Sequence, residues 1–481
     1  MKKFYWIWKI VLLAVIATPF YLWDQREPEI SALERVRADG VLRVVSRNSP
    51  TTFYEDADGF SGMEYDLLKL FADELGVELD IQLATSFRDI PAQVRDRAVD
   101  FAAAGLTVTP DRQEKMRFVQ SYHSIRQQVI YRYADKPSKP EDLGGGKFEL
   151  VAGSSYEEQL LKLLGKTEPL HWVSNTEEET EGLLQKVWQG DIDYTVADSN
   201  IVKLERRFYP ELRVAFDLTD DQPLAWAFPR SDDESLFGAA DDFIRRQQEN
   251  GILDTISDKY YGHLPGLDQV EHMTFTKHRK SRLVKYKPLF LHASVDTGFD
   301  WKLLAAMSYQ ESHWNPKAKS RTGVRGIMML TQITAKEMGV KNRLDAESSV
   351  EGGARYLKKI HGRLDEKLTE PDRTWFALAA YNMGIHHVRD VRKLAASMGA
   401  KSQYWAHVKP YLPYLSKKRY YKKTKYGYAR GREALRYVEN IRSYLDLLTW
   451  YEQQRAKIKL AKEEEKASAI KPITGAMGDA L

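Results

Sequence analysis

Hydrophobic and polar positions along the chain fall into two regimes. Between residues 25 and 265, short β-rich runs alternate with helical spacings. Val41–Val45 is a strand candidate, Tyr65–Leu75 carries apolar residues at helical spacing until Gly76 stops it, and Glu78–Leu83 and Asp100–Ala104 read as further strands. The rhythm restarts at Phe148–Ala152, passes through a helix near Tyr156–Leu164 and reaches a strand at Ile192–Val196. Strand–helix–strand alternation predicts α/β layers, here in two lobes. From Lys287 onward almost every spacing is helical, with Gly and Pro expected between helices rather than within them.

His263, Pro265 and Gly266 signal a turn, and a basic stretch (KHRKSRLVKYK) follows it. The expected plan is therefore a leader (1–24), a two-lobed α/β domain (25–265), a linker (266–285), a mainly α domain (286–452) and a charged tail (453–481) that extends the last helix before ending in solvent. Composition agrees with this plan. The 481 residues are 43% hydrophobic and 29% charged, which suits two or three globular domains at about 100–200 residues each. There is no cysteine, which excludes disulfides, a thiol nucleophile, thiolate metal sites and a lipidated N-terminal cysteine. The net charge of +4 makes no global case for nucleic acid. At the N-terminus, Lys2 and Lys3 precede an apolar run, interrupted by Lys9, that reads as a secretory signal or signal anchor. Cleavage and retention both stay open.

Several blocks of the first regime carry a resemblance. Leu42–Val45, Gly62–Asp66 (GMEYD), Asp73–Gly76 (DELG), Asp100–Tyr122 (DFAAAGLTVTPDRQEKMRFVQSY), Gly153–Ser155 and Asp193–Asp198 (DYTVAD) occur in the order found in periplasmic amino-acid-type solute-binding proteins. The region resembles that family over about 230 residues. The resemblance implies an α/β two-lobed, periplasmic-binding-protein-like domain that closes on a small ligand. It also implies that Arg112 grips a ligand carboxylate, where a bidentate, permanently charged fork is suited to the task. Thr107 and Ser154 would add hydrogen bonds, and Asp198 would face an ammonium group. The alternatives read from the residues alone are a surface ion pair of Arg112 with Asp111 or Glu114, and a helix cap at Asp198.

In the second regime, Leu303, Met307 and Glu311 fall at i, i+4 and i+8, which sets Glu311 on the apolar stripe of a helix over Trp301–His313. Desolvation there would raise its pKa and keep it a proton donor near neutrality. Four blocks surround it in order: Glu311–Pro316 (ESHWNP), Gly323–Met329 (GVRGIMM), Ala380–Gly384 (AYNMG) and Glu433–Val438 (EALRYV). Over about 160 residues they resemble soluble lytic transglycosylases of the lysozyme superfamily. The resemblance implies a mainly α lysozyme-like fold and cleavage of peptidoglycan glycan strands, with a membrane-associated site on the periplasmic side of the envelope, at the outer membrane.

By the same resemblance, Glu311 is the acid and then the base. Ser312 supports the helix end beside the substrate. Gly323 and Gly326 let a turn approach the sugar, and Met328 packs against the glycan. Tyr381 and Asn382 line the cleft and hold an acetamido group. Tyr437 supports Glu311, and Glu433 contacts a neighbouring sugar. Met329 stands where family members commonly have Gln. The implied partners are glycan strands and, at the first domain, a wall-derived peptide or amino acid. Neither a cofactor nor nucleic acid is expected. No metal cluster is visible, since His386 and His387 are adjacent and cannot share a helix face. Two other readings stay open: a hydrolytic muramidase using Glu433 or Glu347 as a second carboxylate, and a receptor with a decayed catalytic domain. The basic aromatic stretch Lys417–Arg432 also has two readings, contact with peptide carboxylates on the wall or a solvated loop with packed tyrosines.

Overall fold

The protein was analysed as a computed structural model that describes residues 30–469 except 57–58, 133–135, 165–169 and 264–267. The leader, the Pro265–Gly266 turn and the last part of the charged tail lie outside the described residues.

The first domain has two lobes. In the first, Val41–Ser46 pairs in parallel with Glu78–Leu83 and Phe101–Ala102, and Ala227–Pro229 runs antiparallel between Phe101–Ala102 and Met116–Phe118. The helix Met63–Leu75 buries Leu67, Leu68, Phe71 and Leu75, the apolar positions of its predicted stripe, in the core of this lobe. In the second lobe, Gln127–Tyr131 lies between Thr195–Asp198 and Arg213–Asp217, all antiparallel, and Glu149–Val151 pairs in parallel with Val173–Asn175. The antiparallel pair His123–Ile125 and Gln222–Leu224 carries the chain between the lobes. The strand expected at Ile192–Val196 sits slightly later. Asp193 accepts the Lys147 backbone N–H at 2.7 Å in a turn, so pairing with Gln127–Tyr131 begins at Thr195.

The second domain is helical and has its own core, which includes Phe290, Leu304, Met307, Trp314, Phe376 and Trp405. Three expectations are corrected here. The described part of the expected linker 266–285, from Asp268 on, is no free linker. Asp268 and Glu271 form a capping box that starts the helix Gln269–His278, which continues through a π turn (Arg279–Leu283) into Val284–Thr297. Its polar residues hid Phe275 and Leu283, both of which are buried in the second core. Proline does occur inside a helix, at Pro288, one turn beyond the π turn, where hydrogen-bond register is already shifted. Glycine does too. Gly353 lies within the helix Ala346–Gly362 because a Cβ there would come within 2.8 Å of the Met328 side chain.

The last helix, Gly431–Ala469, runs through the expected boundary at 452 and touches both domains. On the first-domain side, Arg442 Nη1 donates to Asp258 Oδ2 at 2.7 Å, and Lys409 pairs with the same carboxylate. Asp446 meets Arg207 and His263, and Trp450 stacks on Phe208 with ring centroids 5.0 Å apart. Burial alone would raise the pKa of Asp446, but Arg207 and His263 hold it down at about 2. Removing one partner of a buried charge pair costs more than the pair contributes, because the other charge is stranded. Arg442→Met is therefore expected to destabilise the full chain by about 3 kcal/mol, read as a lower urea midpoint. An unchanged midpoint would show that desolvation cancels the pair.

Candidate active site and ligand cleft

The helix Trp301–Ser312 buries Leu303 through Tyr309 and brings Glu311 to its last turn. It stops there because His313 and Trp314 both adopt positive φ, 52° and 56°. Trp314 then turns back into the core and donates from Nε1 to the Ala305 carbonyl at 2.8 Å. The helix end is thereby locked beneath Glu311. From the final helix, Tyr437 Oη donates to Glu311 Oε1 at 2.6 Å. Burial pushes the Glu311 pKa up to about 7, and the Tyr437 hydrogen bond opposes that rise by favouring the ionised form. No other carboxylate among the described residues contributes to this shift.

The loop 323–330 forms one wall. Ser312 Oγ donates to the Ile327 carbonyl at 2.8 Å and accepts the Asn315 N–H at 3.1 Å, so its hydroxyl serves the backbone rather than a substrate. Tyr381 Oη donates to the Met328 carbonyl at 3.1 Å. Met328 itself is fully buried and packs on Gly353, which corrects the expectation that it faces the glycan. Met329 is partly exposed, at φ 47°. Gly326 has φ 90°, and a Cβ there would lie 1.7 Å from the Arg343 carbonyl oxygen. The close approach that requires this glycine is thus to Arg343, not to a sugar. Asn382, Glu433 and Tyr437 line one open cavity of about 340 Å³ together with Gln310, Arg432 and Arg436. Sequence reasoning did not single out Gln310 and Arg436. Their signal was position: one residue before Glu311 and one before Tyr437.

In the first domain, Thr107, Ser154 and Asp198 line a small cavity between the lobes with Arg47, Phe87 and Glu179. Asp198 Oδ1 and Ser154 Oγ are buried without a hydrogen-bond partner among the described residues. Burial raises the Asp198 pKa to about 7 against the opposing pull of Arg47, Tyr156 and Arg112. Arg112 is buried behind Phe87, its guanidinium carbon 5.5 Å from the ring centroid, and its partner is Glu158 at 3.5 Å rather than Asp111 or Glu114. It also donates to the Thr107 carbonyl at 3.3 Å. Two groups were missed. Arg47, at the carboxyl end of the first strand, is buried and reaches across to Glu179 at 3.2 Å and Glu181 at 3.9 Å. Glu64 accepts the Gly105 N–H at 2.9 Å and the Tyr122 hydroxyl at 2.5 Å. A charged residue ending a parallel strand was the available signal, since ligands bind outside the carboxyl ends of such strands.

Two family models match the chain. Bacterial extracellular solute-binding proteins, family 3, covers residues 42–263, and the Transglycosylase SLT domain covers residues 288–403. The protein is thus of a two-domain class, with a two-lobed solute-binding domain ahead of a lysozyme-like transglycosylase domain. A membrane-bound lytic murein transglycosylase F of Saccharophagus degradans is 44% identical over 484 residues, covering 98% of this chain and 96% of that protein. One of Stutzerimonas stutzeri is 45% identical over 437 residues, covering 90% of each. The chain belongs to the membrane-bound lytic murein transglycosylase F family.

The raised pKa of Glu311 has a consequence for stability. Its folded value, about 7, lies above the ordinary 4.5. The native state therefore carries a penalty that is absent below pH 4.5, grows through 7 and is complete above it. Glu311→Gln removes the penalty. The variant should be more stable than the parent at pH 8 by about 2 kcal/mol, less than the full shift implies because the carboxyl is partly solvated, and should show no such gain at pH 4. Urea titrations at both pH values test this, and an equal effect at each would place the perturbation elsewhere.

Proposed function

We propose that this protein is a lytic transglycosylase that cleaves the β-1,4 bond between N-acetylmuramic acid and N-acetylglucosamine in peptidoglycan, with Glu311 as acid and then base. The observation that carries the reading is one carboxyl, pushed up to about 7, hydrogen-bonded to Tyr437 beside an open cavity. Protonated Glu311 gives its proton to the leaving glycosidic oxygen as the C1–O bond breaks. The acetamido oxygen of the same muramic residue stabilises the positive C1, which suits a site where, among the described residues, no second carboxylate shifts the Glu311 pKa. The ionised carboxylate, steadied by Tyr437, then removes the proton of the C6 hydroxyl as that oxygen bonds to C1. A 1,6-anhydromuramoyl end results, Glu311 is protonated again, and water is not consumed. Asn382 and Glu433 are exposed at the cavity and would contact the sugars. Tyr381 and Ser312 hold the wall and act as positioning residues. Membrane association at the periplasmic side of the outer membrane completes the proposal. Among the described residues, no helix is long and apolar enough to cross a membrane.

Glu311→Gln should lower strand cleavage by about 10²–10⁴-fold, and wild-type activity should fall as pH rises through about 7, where the acid form is lost. Mass spectrometry of digested sacculi reads the product. Anhydro ends are expected, whereas reducing muramic ends would replace this mechanism by hydrolysis with Glu433 as the available partner.

The first domain would bind an amino acid or wall-derived peptide and alter access to Glu311. The unpartnered Ser154 hydroxyl and Asp198 Oδ1 support this, as groups suited to a zwitterion. Coupling requires that ligand affinity differ between two states of the second domain. Adding released muropeptides should change the cleavage rate of the full chain, and an unchanged rate at saturating, calorimetrically verified binding would exclude regulation.

A further inference from the structure

The segment 417–432 holds eight Lys and Arg residues, six of them between Lys417 and Lys425, and no acid. All eight are exposed. Among the described residues only Arg430 pairs with a carboxylate, that of Glu433 at 3.4 Å. Elsewhere on the protein, exposed cations commonly have acidic partners, as Lys69 does in Asp73, Arg126 in Asp217 and Lys359 in Glu337. So dense a run of unpaired like charge is self-repelling and needs a scaffold to hold it.

The scaffold is present. Buried Asp390 accepts the backbone N–H groups of Lys425 and Tyr426, at 3.2 and 2.7 Å. Tyr426 stacks on His386, with ring centroids 4.4 Å apart, and Tyr420 stacks on Tyr414 at 4.5 Å. The tyrosines thus anchor a strap whose lysines have no carboxylate partner among the described residues, Lys417 and Lys425 lying over the rings of Tyr414 and Tyr426. Its C-terminal end leads to the cavity beside Glu311, and its middle rests on the helix that follows Asn382. His386 lies in the first turn of the helix Ile385–Ser397, just after Asn382, and Gly431 opens the helix whose first turns place Arg432, Glu433, Arg436 and Tyr437 on the cavity wall.

We propose that the strap 417–432, continued by Arg436, is a cationic rim of the glycan cleft that receives carboxylate-bearing peptides attached to the strand. It rests on the transglycosylase reading and adds a specificity determinant to it: peptide-substituted glycan is preferred to bare glycan. An anionic membrane would also attract these charges. It would call for an apolar face to insert alongside them, and the large hydrophobics exposed on the strap are only Tyr426 and Tyr428. Continuity with the cavity favours the wall peptide.

The test measures binding of the full chain carrying Glu311→Gln, so that it does not depend on cleavage. The probes are sacculi bearing their peptides, the separate glycan strands left when an amidase removes those peptides, and vesicles of anionic phospholipid. Tighter binding to peptide-bearing sacculi is expected, weakening with salt as exposed charge pairs do. Adding Lys422→Gln, Lys423→Gln and Lys425→Gln should reduce that preference by roughly tenfold, at an unchanged urea midpoint because all three side chains are exposed. A preference that survives the triple variant overturns the proposal. So does a triple variant that loses vesicle binding and keeps its preference for peptide. Failure of the chain with Glu311 intact to cleave either sacculi or bare strands sinks the transglycosylase reading separately, since the binding comparison stands without cleavage.

Discussion

The hydrogen bond between Tyr437 and Glu311 sets the character of the second domain. Burial by itself would raise the Glu311 pKa further, leaving a weaker acid that is slower to give its proton. A phenolic donor 2.6 Å away favours the ionised form and holds the group near 7, where both protonation states are within reach. One carboxyl can then serve two successive steps. The cost is geometric, because the donor and acceptor are 126 residues apart and each must arrive on a helix whose end is fixed. Trp314 fixes one helix by turning back beneath it. The other is fixed by its own length and by its contacts with both domains.

Much of the remaining site is backbone held by side chains rather than side chains offered to a ligand. Ser312 and Tyr381 bind the carbonyls of Ile327 and Met328, and Gly353 makes room for Met328. Gly326 brings the same loop against Arg343. The signature residues around Glu311 therefore divide into a few that face the cavity and more that set the shape of its wall. A loop tied at this many points is suited to holding a sugar in one geometry, which is where positioning contributes to rate.

The final helix also joins the two domains. About one turn beyond Tyr437, Arg442 enters the Asp258 cluster, and Asp446 follows between Arg207 and His263. A buried ionic contact of this kind resists sliding, since any displacement strands a charge. The residue that tunes Glu311 and the residues that grip the solute-binding domain therefore share one rigid element. The strap 417–432 leads into the N-terminus of the same helix, so the basic strap, the Tyr437–Glu311 hydrogen bond and the domain contact lie along a single stretch of chain.

Periodicity and ordered blocks in the sequence were enough to determine both fold classes, the placement of Glu311 on an apolar stripe, and five strands and two helices of the first domain to within a few residues. These features are local: a helix stripe repeats within a few residues, and a block keeps its order however the chain folds. Tertiary structure decided which way side chains face. Met328 reads as a cleft residue in sequence and is core, because Gly353 lies opposite it. Gly326 reads as room for a sugar and is room for Arg343. The polar run 266–285 reads as a linker and is helix from Gln269 on, because two apolar residues among many charges suffice when a waiting core accepts them. Arg47 gave little sign of itself, since its partners on the opposite lobe are more than 130 residues away and only the closed cleft brings them together. A long-range pairing leaves no periodic trace in the chain, and the charge on an isolated residue does not say what it will meet.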